Sequence, residues 1–483
     1  MKKFLLSDIE KSFPKSWDKK AKENAKTLFL KELSVALHSF YGGKIQMVPK
    51  APLPEYDYLN LWYTPGISGV STAIRDNQNL SFELSQRGNS VAVVSDSTRV
   101  LGDGDCGVAG GLGVMEGKAY LMKYLGGIDA FPLCVDTRNR DKSPSINKLV
   151  DFVKMVSPSF GAINLEDISA PNCYQVLSRL QTECAIPVWH DDAQGTACVL
   201  LAGVINSLKL VGKRIETSKF VLLGAGASNT TVAEFLLALG ALLQNIILFD
   251  SVGSLHIGRQ DIKANSRLFK KWELCKKTNP QKVLKIEDAA KGADFIIALS
   301  KPDPTAIKPS WIKSMNCSPV VFACANPVPE IYPYLAKQAG ARVVATGRGD
   351  YPNQLNNSLG FPGILKGVLL CRASKITDKM AITASYAIAE FSEKKGISED
   401  KIITKMSDTN LFPFVASKVG LCAIEQGVAK KVLTENQIYK TAKEDIYLAQ
   451  KTLKVLTKRV LLKKPPKKLF EGCLKKTISQ INS

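Results

Sequence analysis

The stretch FVLLGAGASN, Phe220 to Asn229, decides how the rest of the chain is read. Four apolar residues run straight into a Gly-Ala-Gly turn, and TTVAEFLLALGA follows with helical spacing. Strand, glycine turn and helix in that order begin a parallel, doubly wound sheet. The next strand, NIILFD (245–250), ends on Asp250, and ADFIIALS (293–300), PVVFACANP (319–327) and ARVVATG (341–347) continue the alternation. In that setting Gly224 and Gly226 let the backbone approach a pyrophosphate, and the helix N-terminus offers its free N–H groups. Asp250, 26 residues after Gly224, is placed to accept from ribose hydroxyls. A tight turn without a ligand is the plain alternative. Asn229 stands where a third Gly or Ala is usual, which predicts a wider helix–strand contact. Asp250 favours NAD, because a 2′-phosphate meets a like charge, although Arg259 or a lysine can offset it.

Upstream, SVAVVSD (90–96), DAFPLCVD (129–136) and GAINLED (161–167) read as buried strands, with a helix in GVMEGKAYLMKYLGG (113–127). TACVLLAGVINSLKLVG (196–212) has the length and period of a helix that bridges the two regions. The opening residues read helical up to the Gly42-Gly43 pair, and the chain is helical again from about 365, most clearly in DKMAITASYAIAEFSEKKG. The expected fold is α/β. A helical segment (1–50) precedes an α/β catalytic domain (51–195). A Rossmann-type parallel sheet with C-terminal helices (196–429) follows, then a basic helical extension (430–483).

Composition narrows the function. The net charge of +21 invites a nucleic-acid reading, but residues 1–50 and 430–483 supply +6 and +10 of it. Lysine outnumbers arginine 52 to 13, whereas base readout and stacking favour arginine. A solvated lysine-rich surface is expected, with no nucleic-acid partner. No apolar run approaches the roughly 20 residues of a membrane helix, so no membrane partner is expected. MKKFLLSDIEKSF lacks the apolar core of a signal peptide, and the eleven cysteines form no CxxC pair, which together point to the cytoplasm.

INLEDISAP (163–171) carries Glu166 and Asp167 at a strand exit, and WHDDAQGTA (189–197) carries Asp191 and Asp192 at a helix start. Adjacent anions resist burial, so they either lie in solvated loops or share a cation. Asp191 and Asp192 alone would cap a helix. Both pairs, however, fall on the sheet edge where such folds bind ligands. Oxygen donors without a nearby cysteine, in a chain with only three histidines, favour Mg²⁺ or Mn²⁺ over Zn²⁺.

From Tyr63 to about Gly427 the chain resembles the malic enzyme family. The resemblance is carried by YTPGIS, VAVVSDSTRVLGDGD, VMEGKA, GIDAFP, INLEDISAP, HDDAQGTA, LVGKRI, GAGA, FACANPVPE and GRGDYPNQLNNSLGFPGI, in that order. Most of these resemble the small bacterial branch, and some the large-subunit branch. Ser97 replaces the family's usual Gly, and LGDG its LGLG. The resemblance implies oxidative decarboxylation of malate to pyruvate and CO₂ with NAD or NADP and a divalent metal, by a homodimer or homotetramer. It makes Glu166, Asp167 and Asp192 the metal ligands. Lys118 becomes the base for the C2 hydroxyl, Tyr63 the acid that protonates the enolate carbon, and Asp191 the neighbour that tunes Lys118. Arg99, Asn326 and Asn357 become malate contacts. Thr196, Gly224, Ala225, Gly226, Ser228, Asn229, Asp250 and Asn326 are the expected cofactor contacts. Two other readings stand beside it: a malolactic-type enzyme that makes lactate and CO₂, and a non-catalytic NAD-binding interaction protein.

Overall fold

Val91 to Val94 are all fully buried, as befits a strand covered on both faces. They belong to β1 (Ser90–Ser95), which pairs in parallel with β2 (Asp129–Cys134) and β3 (Ala162–Leu165). β4 (Val188–His190) completes a four-stranded parallel sheet of order β2-β1-β3-β4. The computed structural model describes residues 6–482. It divides into a unit of residues 49–449 and a smaller one that joins 1–48 with 450–483.

Helices Leu112–Gly126, Ile146–Val156 and Asn172–Glu183 connect the strands of the first sheet. Each connection must cross a face of the sheet, because parallel neighbours cannot be joined by a hairpin. The second sheet has the order β6-β5-β7-β8-β9, again all parallel. Its strands are β5 (Phe220–Leu223), β6 (Ile246–Phe249), β7 (Phe295–Ala298), β8 (Val320–Ala323) and β9 (Val343–Thr346). The order reverses between β5 and β7, so the Gly224–Gly226 turn lies at the topological switch point where such sheets take ligands. Every expected strand is present, and the α/β fold class holds.

Helix Thr196–Val211 links the sheets and is buried along most of its length. With the preceding turn, Asp191–Val211 is long and apolar enough to cross a membrane (mean hydropathy 1.4). Because 72% of that window is buried inside the protein, it is a core helix rather than a span. Asp378–Lys394 packs along it, and Leu411–Glu425 packs between that helix and Phe361–Leu370.

In the smaller unit, helix Lys19–Tyr41 buries Phe29 and Leu33 against Leu469, Phe470 and Leu474 of helix Lys467–Asn482. Lys476 and Glu32 pair across them at 2.7 Å. The two lysine-rich chain ends, expected as separate appendages, thus share one apolar core. The division near the C-terminus falls within helix Glu435–Lys458, whose Ile438, Ala442 and Ile446 are buried.

Candidate active site

The register Leu165↔His190 brings the exits of β3 and β4 side by side, and with them both acidic pairs. Each strand end continues into an unusual turn. Asp167 has φ +53°, the left-handed region that Asp tolerates better than most residues. Its N–H donates to Asp192 Oδ2 at 2.7 Å. Residues Asp191–Gly195 form one π-helical turn, a local widening common at functional sites. As a result, ligand atoms of Glu166, Asp167 and Asp192 all lie within 4.8 Å of one another.

Lys118, buried on helix Leu112–Gly126, reaches into this cluster. Its ammonium donates to Asp191 Oδ2, lies 3.1 Å from Glu166 Oε1 and sits 4.7 Å from the centre of the Phe361 ring. The remaining carboxylate oxygens are held in turn. Trp189 Nε1 donates to Asp191 Oδ1 at 3.1 Å, and Asn164 Nδ2 donates to Glu166 Oε2 at 3.0 Å. Asn164, Trp189 and Phe361 were not singled out in the sequence. They stand inside or beside the quoted motifs, where strand burial alone accounts for the first two.

Four carboxyl groups share this volume with one ammonium, and the imbalance shows in their acidities. Burial would lower the Lys118 pKa, but Asp191, Glu166 and Asp192 outweigh it and hold the ammonium well above its usual range. Burial pushes Glu166 well above the carboxylate range, against the opposing pull of Lys118. Asp167 is pushed up to about 7 by burial and by Asp192. Its Oδ2 is buried with no partner among the described residues. An orphaned carboxylate oxygen, excess negative charge and a pure oxygen donor set all fit a hard divalent cation.

The nucleotide turn abuts the same cluster. Gly224 has φ +91°, and a Cβ there would lie 2.5 Å from Leu299 O, so only glycine fits. Nothing lies within 4 Å of the Cβ direction of Gly226, which leaves room before helix Ala227–Ala238. Ala225 is buried, Thr196 half-buried, and Ser228 Oγ donates to Asp192 O at 2.7 Å, tying the nucleotide helix to the acidic turn.

Two expectations need correction. The Asn229 side chain does not widen the helix–strand contact: it is fully buried, and its Nδ2 donates to Leu223 O at 2.9 Å and Ile297 O at 3.4 Å. Its amide therefore ties the helix to the strands where a wider gap was expected. Asp250 is not a free acceptor, since Arg259 binds both its oxygens (3.0 and 3.1 Å) and Lys271 stands 3.4 Å away. Its charge is largely matched before any ribose arrives.

Ser97, at the Gly position, has φ +58°, which explains the usual Gly. Here its Oγ bonds to Val108 O at 2.9 Å and its N–H to Ser95 Oγ at 2.9 Å. The following loop frames the cluster: Arg99 N donates to Asp167 O at 3.1 Å, while its exposed guanidinium helps to lower the Asp167 pKa. Gly102 packs so tightly on Asn326 that a Cβ would lie 2.3 Å from Asn326 O. Asn326 is exposed beyond β8 and Asn357 lies against Gly195, both at the rim. Glu330, also missed in the sequence, braces the Asn326 loop by accepting from Ala325 N (3.0 Å) and Ser300 N (2.8 Å). Tyr63 is the exception. It is 72% exposed, and its hydroxyl bonds to no group among the described residues.

Residues 42–181 match the malic enzyme N-terminal domain, and residues 193–424 the malic enzyme NAD binding domain. The NAD-dependent malic enzyme of Geobacillus stearothermophilus is 43% identical over 81% of this chain and 78% of its own. The bifunctional malic/malolactic enzyme of Bacillus subtilis is 40% identical over 85% of this chain and 97% of its own. The crystal structure of Entamoeba histolytica malic enzyme superposes with a TM-score of 0.97 at 52% identity, covering 100% of both chains. The chain belongs to the malic enzyme family.

Proposed function

We propose that this protein catalyses the oxidative decarboxylation of malate to pyruvate and CO₂ with reduction of NAD or NADP. The observation that carries this reading is the buried Lys118 ammonium between Asp191 and Glu166, within the Glu166–Asp167–Asp192 triad and beside the nucleotide turn. Glu166, Asp167 and Asp192 would hold a divalent cation and the Gly224–Gly226 turn a dinucleotide, which would supply a Lewis acid and a hydride acceptor respectively.

The chain's own residues move the protons. Lys118 takes the C2 hydroxyl proton during oxidation, and Tyr63 returns a proton to the enolate carbon after decarboxylation. A lysine base must first be neutral. Its high acidity barrier comes from carboxylates that a cation would draw on, leaving burial to lower its pKa. Asp191, fixed by Trp189, aims the amine. Arg99, Asn326 and Asn357 bind the malate carboxylates from the rim. The basic surface favours anionic substrates, the exposed apolar segments fit a homo-oligomer, and eleven unpaired cysteines fit the cytoplasm.

Malate-dependent reduction of NAD or NADP with Mn²⁺, abolished by EDTA and restored by added metal, tests the reading. Full turnover in chelator, with no residual bound metal, sinks it.

A further inference from the structure

Three of the four acids at the strand exits stand two residues after a strand residue that can hold them. Asn164 of β3 donates to Glu166 Oε2 at 3.0 Å, and Trp189 of β4 donates to Asp191 Oδ1 at 3.1 Å. His190, the last residue of β4, stands two before Asp192. Its Nδ1 lies 3.9 Å from Asp192 Oδ2, too far for a hydrogen bond. Successive strand residues point to opposite faces, so Trp189 approaches its acid from one face of the sheet and His190 approaches its own from the other. The first two pairs are closed, and the third is open.

The open pair is the anomaly. His190 is fully buried, and neither ring nitrogen has a hydrogen-bond partner among the described residues. A buried polar atom left unpaired is destabilising, and such atoms are rare in folded proteins. An apolar side chain of similar volume would fill the same space without that penalty. An imidazole carries at least one N–H in any protonation state, so it has a donor to offer. The acceptor close by is Asp192 Oδ2, which already takes the Asp167 N–H at 2.7 Å. A bond from His190 adds a second donor to that same oxygen and leaves Oδ1 for a cation.

We infer that His190 is a positioning residue of the metal centre: on cation binding its ring N–H closes onto Asp192 Oδ2 and fixes the carboxylate that holds the ion. This rests on the reading of Glu166, Asp167 and Asp192 as metal ligands. Donors behind a ligating group orient it, and their loss typically lowers metal affinity by about 10–100-fold.

Mn²⁺ binding to the full chain without substrate tests this in wild type, His190→Leu and His190→Asn. Leucine removes the donor, whereas asparagine keeps an N–H near the position of Nδ1. The Leu variant should bind Mn²⁺ about 10–100-fold more weakly, and the Asn variant should keep most of the affinity. In EDTA the Leu variant should melt no lower than wild type, because it loses an unsatisfied polar group. A packing role predicts the reverse, a lower melting temperature with unchanged metal affinity, and that result overturns the inference. With only three histidines in the chain, ¹⁵N-labelled imidazole spectra of the wild-type protein give a second readout that needs no variant to fold. Adding Mg²⁺ should shift one ring N–H downfield and protect it from exchange with water, and the His190→Asn spectrum, which lacks that signal, assigns it. A wild-type protein that binds Mg²⁺ with no change at His190 overturns the inference and leaves the metal site standing. One that binds neither ion overturns the metal reading, and the inference with it.

Discussion

Replacing Asp167 with Asn should stabilise the metal-free protein while removing its metal affinity. Asp167 is buried, its Oδ2 has no partner, and its pKa is pushed from about 3.8 to about 7 by burial and by Asp192. A carboxylic acid whose folded pKa exceeds its unfolded value binds its proton more tightly when folded. Stability is then unaffected below about pH 4, falls as pH rises towards 7, and levels off above it. Three units correspond to about 4 kcal/mol of destabilisation at pH 8. Asparagine keeps the shape, can still accept from Leu101 N, and offers Nδ2 to the neighbouring carboxylates. Because Glu166 and Asp192 still repel, the expected gain is smaller, about 2 kcal/mol. Urea and thermal unfolding in EDTA between pH 5 and 8 measure it. The advantage of the variant should grow with pH up to about 7 and then level off. Saturating Mn²⁺ should reverse the order, since a ligand at 100 times its Kd adds about 2.7 kcal/mol to the wild-type protein alone. An Asn variant less stable than wild type in EDTA at pH 8, or a difference flat with pH, refutes the reasoning.

Lys118→Ala should slow malate oxidation by roughly 10²-fold or more, with partial rescue by small amines, and an unchanged rate removes Lys118 from the chemistry. Arg259→Ala leaves Asp250 with Lys271 alone, 3.4 Å away, as its counter-charge, so if Asp250 faces the ribose, KM for NADP should rise about tenfold more than KM for NAD, as steady-state kinetics with each cofactor will show. Equal changes would mean that Asp250 does not face the ribose. Deleting residues 461–483 should preserve the acidic cluster but uncover Phe29 and Leu33. Mn²⁺ binding is then retained while helix Lys19–Tyr41 becomes protease-sensitive, and unchanged proteolysis contradicts the observed core.

The sheets were legible because parallel strands buried on both faces read as unbroken apolar runs, as in Val91–Val94 and Phe220–Leu223. The acidic pairs were legible because adjacent carboxylates at strand exits are costly without compensation. What escaped was tertiary. Asn229 looked like a defect, because spacing cannot show an amide reaching Leu223 O and Ile297 O across a helix–strand contact. Arg259 was named beside Asp250 as an offsetting charge, but that it takes both carboxylate oxygens depends on how residues 251–258 fold back. The shared core of the two chain ends joins residues more than 400 positions apart, such as Glu32 and Lys476, beyond the reach of local periodicity. Tyr63 was recognisable by motif, but its exposure depends on how the whole 49–89 stretch lies, which a motif does not carry.

The central claim is oxidative decarboxylation, and product stoichiometry tests it most directly. One limiting dose of malate is consumed with Mn²⁺ and excess NAD or NADP, and reduced cofactor, pyruvate and lactate are quantified together. The account predicts one reduced cofactor and one pyruvate for every malate consumed, with no lactate. Lactate formed without net accumulation of reduced cofactor contradicts it and assigns the chain to malolactic chemistry.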